Sequence, residues 1–376
     1  MPLDHAAVTA LTDRLRTEVE DGLLVSAQLA LGLHGEIVHA ECFGATTPST
    51  RYVIFSATKP FVAAAVWQLI SEGLLRTDDR VVDHLPFLGQ DAATAADMAT
   101  VTLEQVMLHT AGFPYAPLGP GRWETTEQRR AAMARWRLSW QPGTRFEYHP
   151  TSAHWVLAEL LHTVTGKDHR DVVHERVTRP LGLPRILGIP TDAQEDVAEL
   201  QAVGAPATPD ELEATFGVRA LPGGEVTADT LLGFNDPTAR AVGVPGGGGI
   251  ARAVDVAAFY QALLHNPGGL WDPALLANVT GVVRNHLPDP LTRTPANRSL
   301  GLILAGDDGR SHFRGMGRTV SPGAFGHNGA KGQLAFADPA TGLSVAVLTN
   351  GLDLNEVRQP RRDSALASLA ALCATA

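Results

Sequence analysis

The placement of strand-like runs constrains this chain more than any other feature: they sit at its two ends and leave the middle almost free of them. Near the start, His5–Glu20 carries apolar residues at helical spacing (Val8, Leu11, Leu15, Val19). Leu24–Leu33 and Ile37–Phe43 then read as two strands around the turn His34-Gly35-Glu36. Near the end, Leu300–Leu304, Gln333–Ala337 and Leu343–Leu348 read as strands. The last two are joined by Asp338-Pro339-Ala340-Thr341-Gly342, a loop with proline early and glycine late that favours a hairpin. A helix over Asp363–Leu372 closes the pattern. Between the two ends the chain is loop-rich and helical, with helices expected at Thr102–Leu108, Thr126–Trp136, Ser152–Val164, His169–Val177 and Val254–His265. The expectation is an α/β fold: an antiparallel sheet flanked by N- and C-terminal helices, with a large inserted mainly helical domain. Residues 1–80 and 297–376 would form the sheet domain and 81–296 the insert, with the active site in the cleft between them.

Composition narrows the function classes. Hydrophobic residues make up 44% and charged residues 19%, enough apolar mass for a full core. The net charge is -10 and no basic run exceeds Arg129-Arg130 or Arg361-Arg362, which argues against nucleic acid and anionic membranes as partners. Met1-Pro2-Leu3-Asp4-His5 carries neither a basic nor an apolar leader pattern, so the expected location is cytoplasmic. Cys42 and Cys373 imply no disulfide framework, and CxxC, HExxH and GxSxG patterns are all absent. Metal and cofactor chemistry and the α/β-hydrolase mechanism are therefore disfavoured.

Lysine is kept at three positions among 30 basic residues. One of them, Lys59, stands three residues after Ser56 in Phe55-Ser56-Ala57-Thr58-Lys59-Pro60. Arginine stays protonated at any workable pH, whereas a buried lysine can lose its proton and act as a base. Chance places such a pair in roughly one chain in ten of this composition, and serine is also a good helix cap, so context decides its weight. A helical stretch follows at once (Phe61, Val62, Ala65, Val66, Leu69, Ile70) and closes at Glu72-Gly73. Residues i and i+3 share a helix face, so Ser56 and Lys59 should point into one cleft. Ser56 would sit at the helix start, where unpaired N–H groups and the positive dipole end favour developing negative charge.

Two more segments complete the pattern. Gln141-Pro142-Gly143-Thr144-Arg145-Phe146-Glu147-Tyr148-His149-Pro150 is a turn leading to Tyr148 just ahead of a helix. Phe325-Gly326-His327-Asn328-Gly329-Ala330 stands immediately upstream of the last hairpin. With these the chain resembles the serine β-lactamase/penicillin-binding-protein superfamily, in particular the class C β-lactamase-like branch that includes family VIII carboxylesterases. The stretch Val101–Gly112 ending in His109-Thr110-Ala111-Gly112, Arg179-Pro180-Leu181-Gly182-Leu183, the glycine-rich Pro245–Gly249 and Phe336-Ala337-Asp338-Pro339 follow in the family's order. The resemblance covers nearly the whole chain. It implies a β-lactamase/transpeptidase-like fold with neither metal nor cofactor. Ser56 would be the acylated nucleophile, and Lys59 and Tyr148 would share the work of taking its proton and returning it to the leaving group. The backbone N–H groups of Ser56 and Ala330 would form the oxyanion hole, with His327, Asn328, Gly329 and His149 along the substrate cleft. Lysine and tyrosine have reference pKa values near ~10.4 and ~10, so such a base needs a shift of about three units, worth ~4 kcal/mol. Burial lowers the lysine, a neighbouring ammonium lowers the tyrosine, and the two titrate as a pair.

Two departures bear on the substrate. Where β-lactamases carry Tyr-Ser-Asn or Tyr-Ala-Asn, this chain has Tyr148-His149-Pro150, and proline offers no side-chain amide to a substrate. Where they carry Lys-Thr-Gly, it has His327-Asn328-Gly329, and a mostly neutral imidazole supplies no fixed cation for a substrate carboxylate. His327 is expected to hydrogen-bond Tyr148 or the leaving group. Lys331 shares strand parity with His327, too weak a signal for a replacement. His109 reads as structural and Gly246–Gly249 as a turn or close-packing point. The resemblance thus implies a serine hydrolase of the carboxylesterase type (EC 3.1.1) with a Ser-Lys-Tyr site, acting on a small-molecule ester, thioester or amide. An acyltransferase shares the acyl-enzyme and differs in which nucleophile enters second. A D-amino-acid amidase or peptidase is disfavoured by the missing Asn and Lys. A non-catalytic ligand-binding or sensor domain would have no need to keep Ser56, Lys59 and Tyr148 together.

Overall fold

The computed structural model describes residues 3–91, 93–116, 118–221 and 223–374. The Asp4 carboxylate accepts the N–H groups of Ala6 and Ala7 and so starts α1 (His5–Glu20), whose buried face is Val8, Leu11 and Leu15. β1 (Ser26–Leu33) and β2 (Glu36–Gly44) form a hairpin turned by His34 and Gly35, both at positive φ. The late strands are β5 (Ile303–Leu304), β6 (Phe325–Gly326), β7 (Leu334–Asp338) and β8 (Leu343–Thr349), and α5 (Arg358–Ala371) follows them. They join β1 and β2 in one six-stranded sheet of order β2-β1-β8-β7-β6-β5, antiparallel at every pairing. The expected sheet from both ends of the chain is therefore the sheet that forms.

Both faces of its centre are covered. Leu29, Leu31, Val345 and Val347 pack under α1 and α5 with Leu11, Leu15 and Leu366. Ala30, Ala346 and Leu348 face the opposite way, into a larger core shared with Val256 and Phe259 of α4 (Ala253–His265). Strands covered on both sides need no polar alternation, and β1 and β8 are buried at every residue, whereas edge strand β2 alternates. The Gln261 amide fastens α4 to the sheet by donating to Gly32 O at 2.8 Å and Ser344 Oγ at 3.0 Å. The helix expected at 254–265 thus lies on the sheet.

Between the sheet and the helical region runs α2 (Lys59–Ser71), buried continuously from Lys59 to Leu69. A helix apolar on all sides belongs in a core. Phe61 stacks on Phe259 with ring centroids 3.8 Å apart, and α3 (Ser152–Thr165) lies alongside. A two-stranded ribbon of β3 (Tyr52–Phe55) and β4 (Gly249–Ala251) delivers the chain into α2. Other boundaries shift for local reasons. The strand expected at 300–304 shortens to β5 because Gly301 sits at φ 90. The last helix begins at Arg358, five residues early, with Pro360 in its first turn where no N–H is required. No described helix is long and apolar enough to cross a membrane.

Candidate active site

Phe55 hands the chain from β3 to Ser56 through a backbone that L-residues rarely adopt, φ 45 and ψ −131. Such a conformation persists only where its surroundings over-determine it. Phe55 pairs with Gly249 across the ribbon, and its ring meets Phe234 edge-on at 6.0 Å. The kink leads into a 3-10 turn, Ser56–Thr58, and then into α2.

Two side chains converge on Ser56. Lys59 Nζ lies 3.1 Å from Ser56 Oγ, and the Tyr148 hydroxyl donates to the same oxygen at 2.9 Å. Lys59 is fully buried, and its Nζ also donates to the carbonyls of Pro150 at 2.7 Å and Gly246 at 2.6 Å. Those carbonyls occupy two of its N–H groups. The third position faces Ser56, as an N–H when the amine is charged and as a lone pair when it is neutral. Burial pushes the Lys59 pKa down from its ordinary value; Tyr148 opposes the shift and Arg298 adds to it. A side chain on Gly246 would stand 2.9 Å from Pro150 O, so only a glycine lets both carbonyls reach one amine. The glycine-rich run is close-packed, as expected, and it also holds Lys59.

His327 is buried beside Tyr148, with ring centroids 5.9 Å apart. Its Nε2 accepts from Arg298 Nη1 at 3.0 Å and its Nδ1 donates to Asn328 O at 3.0 Å, so neither nitrogen bonds Tyr148 as the sequence suggested. Burial and then Arg298 push its pKa well below 6.5. Arg298 is the residue that sequence reasoning missed. Its guanidinium lies over the Tyr148 ring at 5.1 Å and over Phe146 at 5.5 Å, a fixed cation where His327 alone offered none. Nothing in its spacing from either motif announces it.

The remaining expected residues divide between cleft and scaffold. Ala330 lines the same cavity as Ser56. Gly329 is required sterically, because a Cβ there would stand 2.2 Å from Ile54 O. Asn328 turns its amide to the backbone of Gly315 and Ala335. His149 is buried; its Nε2 accepts from Phe113 N and its Nδ1 donates to Glu147 O, which leaves no polar atom for a substrate. His109 accepts the His149 N–H and is structural in position. Lys331 reaches away, to Asp353 O at 2.8 Å.

The family described as Beta-lactamase matches residues 11–370. The chain belongs to the β-lactamase family. The esterase/β-lactamase LipL of Mycobacterium tuberculosis is 30% identical over 323 residues, covering 80% of this chain and 69% of LipL. The esterase EstB of Burkholderia gladioli is 28% identical over 375 residues, 93% of this chain and 92% of EstB. The crystal structure of a family VIII carboxylesterase superposes with a TM-score of 0.76 at 26% identity over 98% of both chains. The expected superfamily and its β-lactamase/transpeptidase-like fold are therefore those of this β-lactamase-family serine hydrolase.

Proposed function

We propose that this protein is a carboxylesterase-type hydrolase that works through an acyl-Ser56 intermediate. The observation that carries the reading is the convergence of Lys59 Nζ and the Tyr148 hydroxyl on Ser56 Oγ at 3.1 and 2.9 Å. A neutral Lys59, favoured by burial, takes the Ser56 proton directly or through Tyr148 as Oγ attacks the ester carbonyl. The backbone N–H groups of Ser56 and Ala330 hold the developing oxyanion, a role in which each donor is typically worth ~10²–10³ in rate. The same pair returns the proton to the leaving-group oxygen, and water repeats the sequence to release the acid. Arg298 lies over the Tyr148 ring at 5.1 Å, beside the path of that proton. EstB, named as an esterase alone, supports ester chemistry, and Pro150 and His327 at the two departed positions speak against lactam chemistry, while LipL is named for both. Transfer to an organic nucleophile shares the acyl-enzyme and differs only in its second half.

The test is intact-mass analysis after incubation with a panel of activated esters and thioesters and with an alkyl phosphonate. The adduct is expected on Ser56 and absent from folded Ser56→Ala. Labelling that persists in that variant would remove Ser56 from the mechanism.

A further inference from the structure

The cavity beside Ser56 is larger and more apolar than the groups at the nucleophile require. It encloses about 620 Å3, with Leu118, Trp123, Leu231, Phe234 and Val244 in its wall. At roughly 30 Å3 for a water-sized group, a chain of about ten carbons fills half of it. Its ionisable lining is one-sided. Glu225 and Asp236 are acidic, and no lysine, arginine or histidine stands among the described lining residues. Asp236 accepts Thr238 N–H at 2.8 Å, which holds its carboxyl below the usual range and keeps it charged. Glu225 accepts the Thr151 hydroxyl through Oε1 at 2.5 Å, while Oε2 is buried without a hydrogen-bond partner; burial pushes its pKa up, and the Thr151 bond and the nearby Lys59 oppose that shift.

The cavity also has a direction. Ser56 and Ala330 line it, whereas Tyr148, His327 and Arg298 do not. On the acyl-Ser56 reading, Lys59 and Tyr148 protonate the leaving group, which therefore departs on their side. The acyl group is left on the other side, in this cavity. Arg298 flanks the leaving-group side, and the carboxyl groups of Glu225 and Asp236 flank the acyl side.

We propose that this cavity is the acyl subsite and that it selects uncharged apolar acyl groups well beyond acetyl, with Glu225 excluding acyl groups that end in a carboxylate. Methylenes gain by leaving water for the apolar wall, and an acyl carboxylate entering there meets two acidic side chains and no lysine, arginine or histidine among the described lining residues. The inference rests on the function proposed above and adds its substrate class.

The experiment measures kcat/KM for p-nitrophenyl acetate, butyrate, hexanoate, octanoate and decanoate, and compares the pentanoate with the hemisuccinate of similar length. In the wild type kcat/KM should climb by about fourfold per methylene through the first members. The pentanoate should exceed the hemisuccinate by about 100-fold or more. Glu225→Gln should shrink that neutral-to-anionic ratio by about tenfold, and Ala239→Trp, which fills the wall, should collapse the octanoate-to-acetate ratio. Ratios taken within one variant do not depend on how much of it is folded. Acylation of Ser56 by the acetate ester with a flat chain-length profile, or an unchanged ratio in Glu225→Gln, overturns the subsite and leaves the esterase reading standing. Failure of every ester to acylate Ser56 overturns both.

Discussion

Arg298 donates from Nη1 to Nε2 of His327 at 3.0 Å, and this bond fixes the imidazole as a neutral acceptor. A guanidinium has no lone pair to give, so Nε2 carries no proton, and Nδ1–H is committed to Asn328 O. Protonating His327 would set two cations face to face. The histidine in the third motif position is therefore a mount for Arg298, and the fixed positive charge of the cleft sits on a residue 29 positions upstream.

The acid limb of the pH–rate profile should accordingly belong to Lys59 and not to the imidazole. Activity should fall at low pH as Lys59 gains its proton. Arg298 helps hold the Lys59 pKa down, so Arg298→Gln should move that limb to higher pH and lower kcat/KM by roughly 30-fold, the scale of a desolvated cation–π contact. His327→Gln can still accept from Arg298 and should leave the limb in place. Profiles of kcat/KM for both variants decide the matter; a limb that moves in His327→Gln would return the titration to the imidazole.

Lys59→Arg keeps the charge and should lose about 10²–10⁴ in kcat, because arginine cannot give up its proton at working pH. Tyr148→Phe removes one hydroxyl from a half-buried ring and should cost a similar factor with about 1 kcal/mol or less of stability. Steady-state kinetics beside thermal melts check the pair, and turnover near wild type in either would break the shared-base relay.

Short activated esters should be cleaved at least ~10–100-fold better in kcat/KM than penicillins or cephalosporins. Pro150 has no side-chain amide to offer, and its carbonyl is already bound to Lys59 at 2.7 Å. Parallel assays on nitrocefin and p-nitrophenyl butyrate test the ranking, which an equal or higher value for nitrocefin would reverse.

Far from the cleft, burial pushes Asp363 up to about 7, although Arg362 opposes the shift, and its Oδ1 has no hydrogen-bond partner. Its carboxyl holds a proton more tightly folded than unfolded. The stability this gives is full below the ordinary 3.8 and is lost as pH rises towards 7. Asp363→Asn should therefore raise Tm relative to wild type at pH 8, and the gain should shrink at pH 5. Melts at the two pH values measure it, and an equal gain at both would place the effect elsewhere.

The sequence carried the parts of this architecture that depend on local chemistry. The apolar spacing of α1, the hairpin around Gly35 and the proline-to-glycine loop before β8 are all readable one segment at a time. Ser56 and Lys59 were legible because one helical turn fixes their relation, and Tyr148 because a family order places it. What could not be read is what the fold alone brings together. Arg298 reaches Tyr148 from across the cleft, and one arginine among 27 has no local mark. β3 is four residues long and gains its strand character from Gly249–Ala251, nearly two hundred positions away. His149 looked available beside Tyr148, but only packing shows that its ring turns inward to Phe113.

The sheet order also sets a timetable for the nascent chain. Ala30 must wait for Ala346, more than three hundred residues later, before the centre of the sheet can close. Until then β1 has only β2 beside it, and the apolar α2, with α4 already made, still lacks the finished sheet to cover it. Such long-range pairing makes folding slow and leaves sticky intermediates exposed. A ribosome-bound chain stopped before residue 343 should hold Ser56 and Lys59 in sequence yet label poorly with a serine-directed probe. The nucleophile would then be among the last features of the molecule to mature, switched on by the arrival of β8.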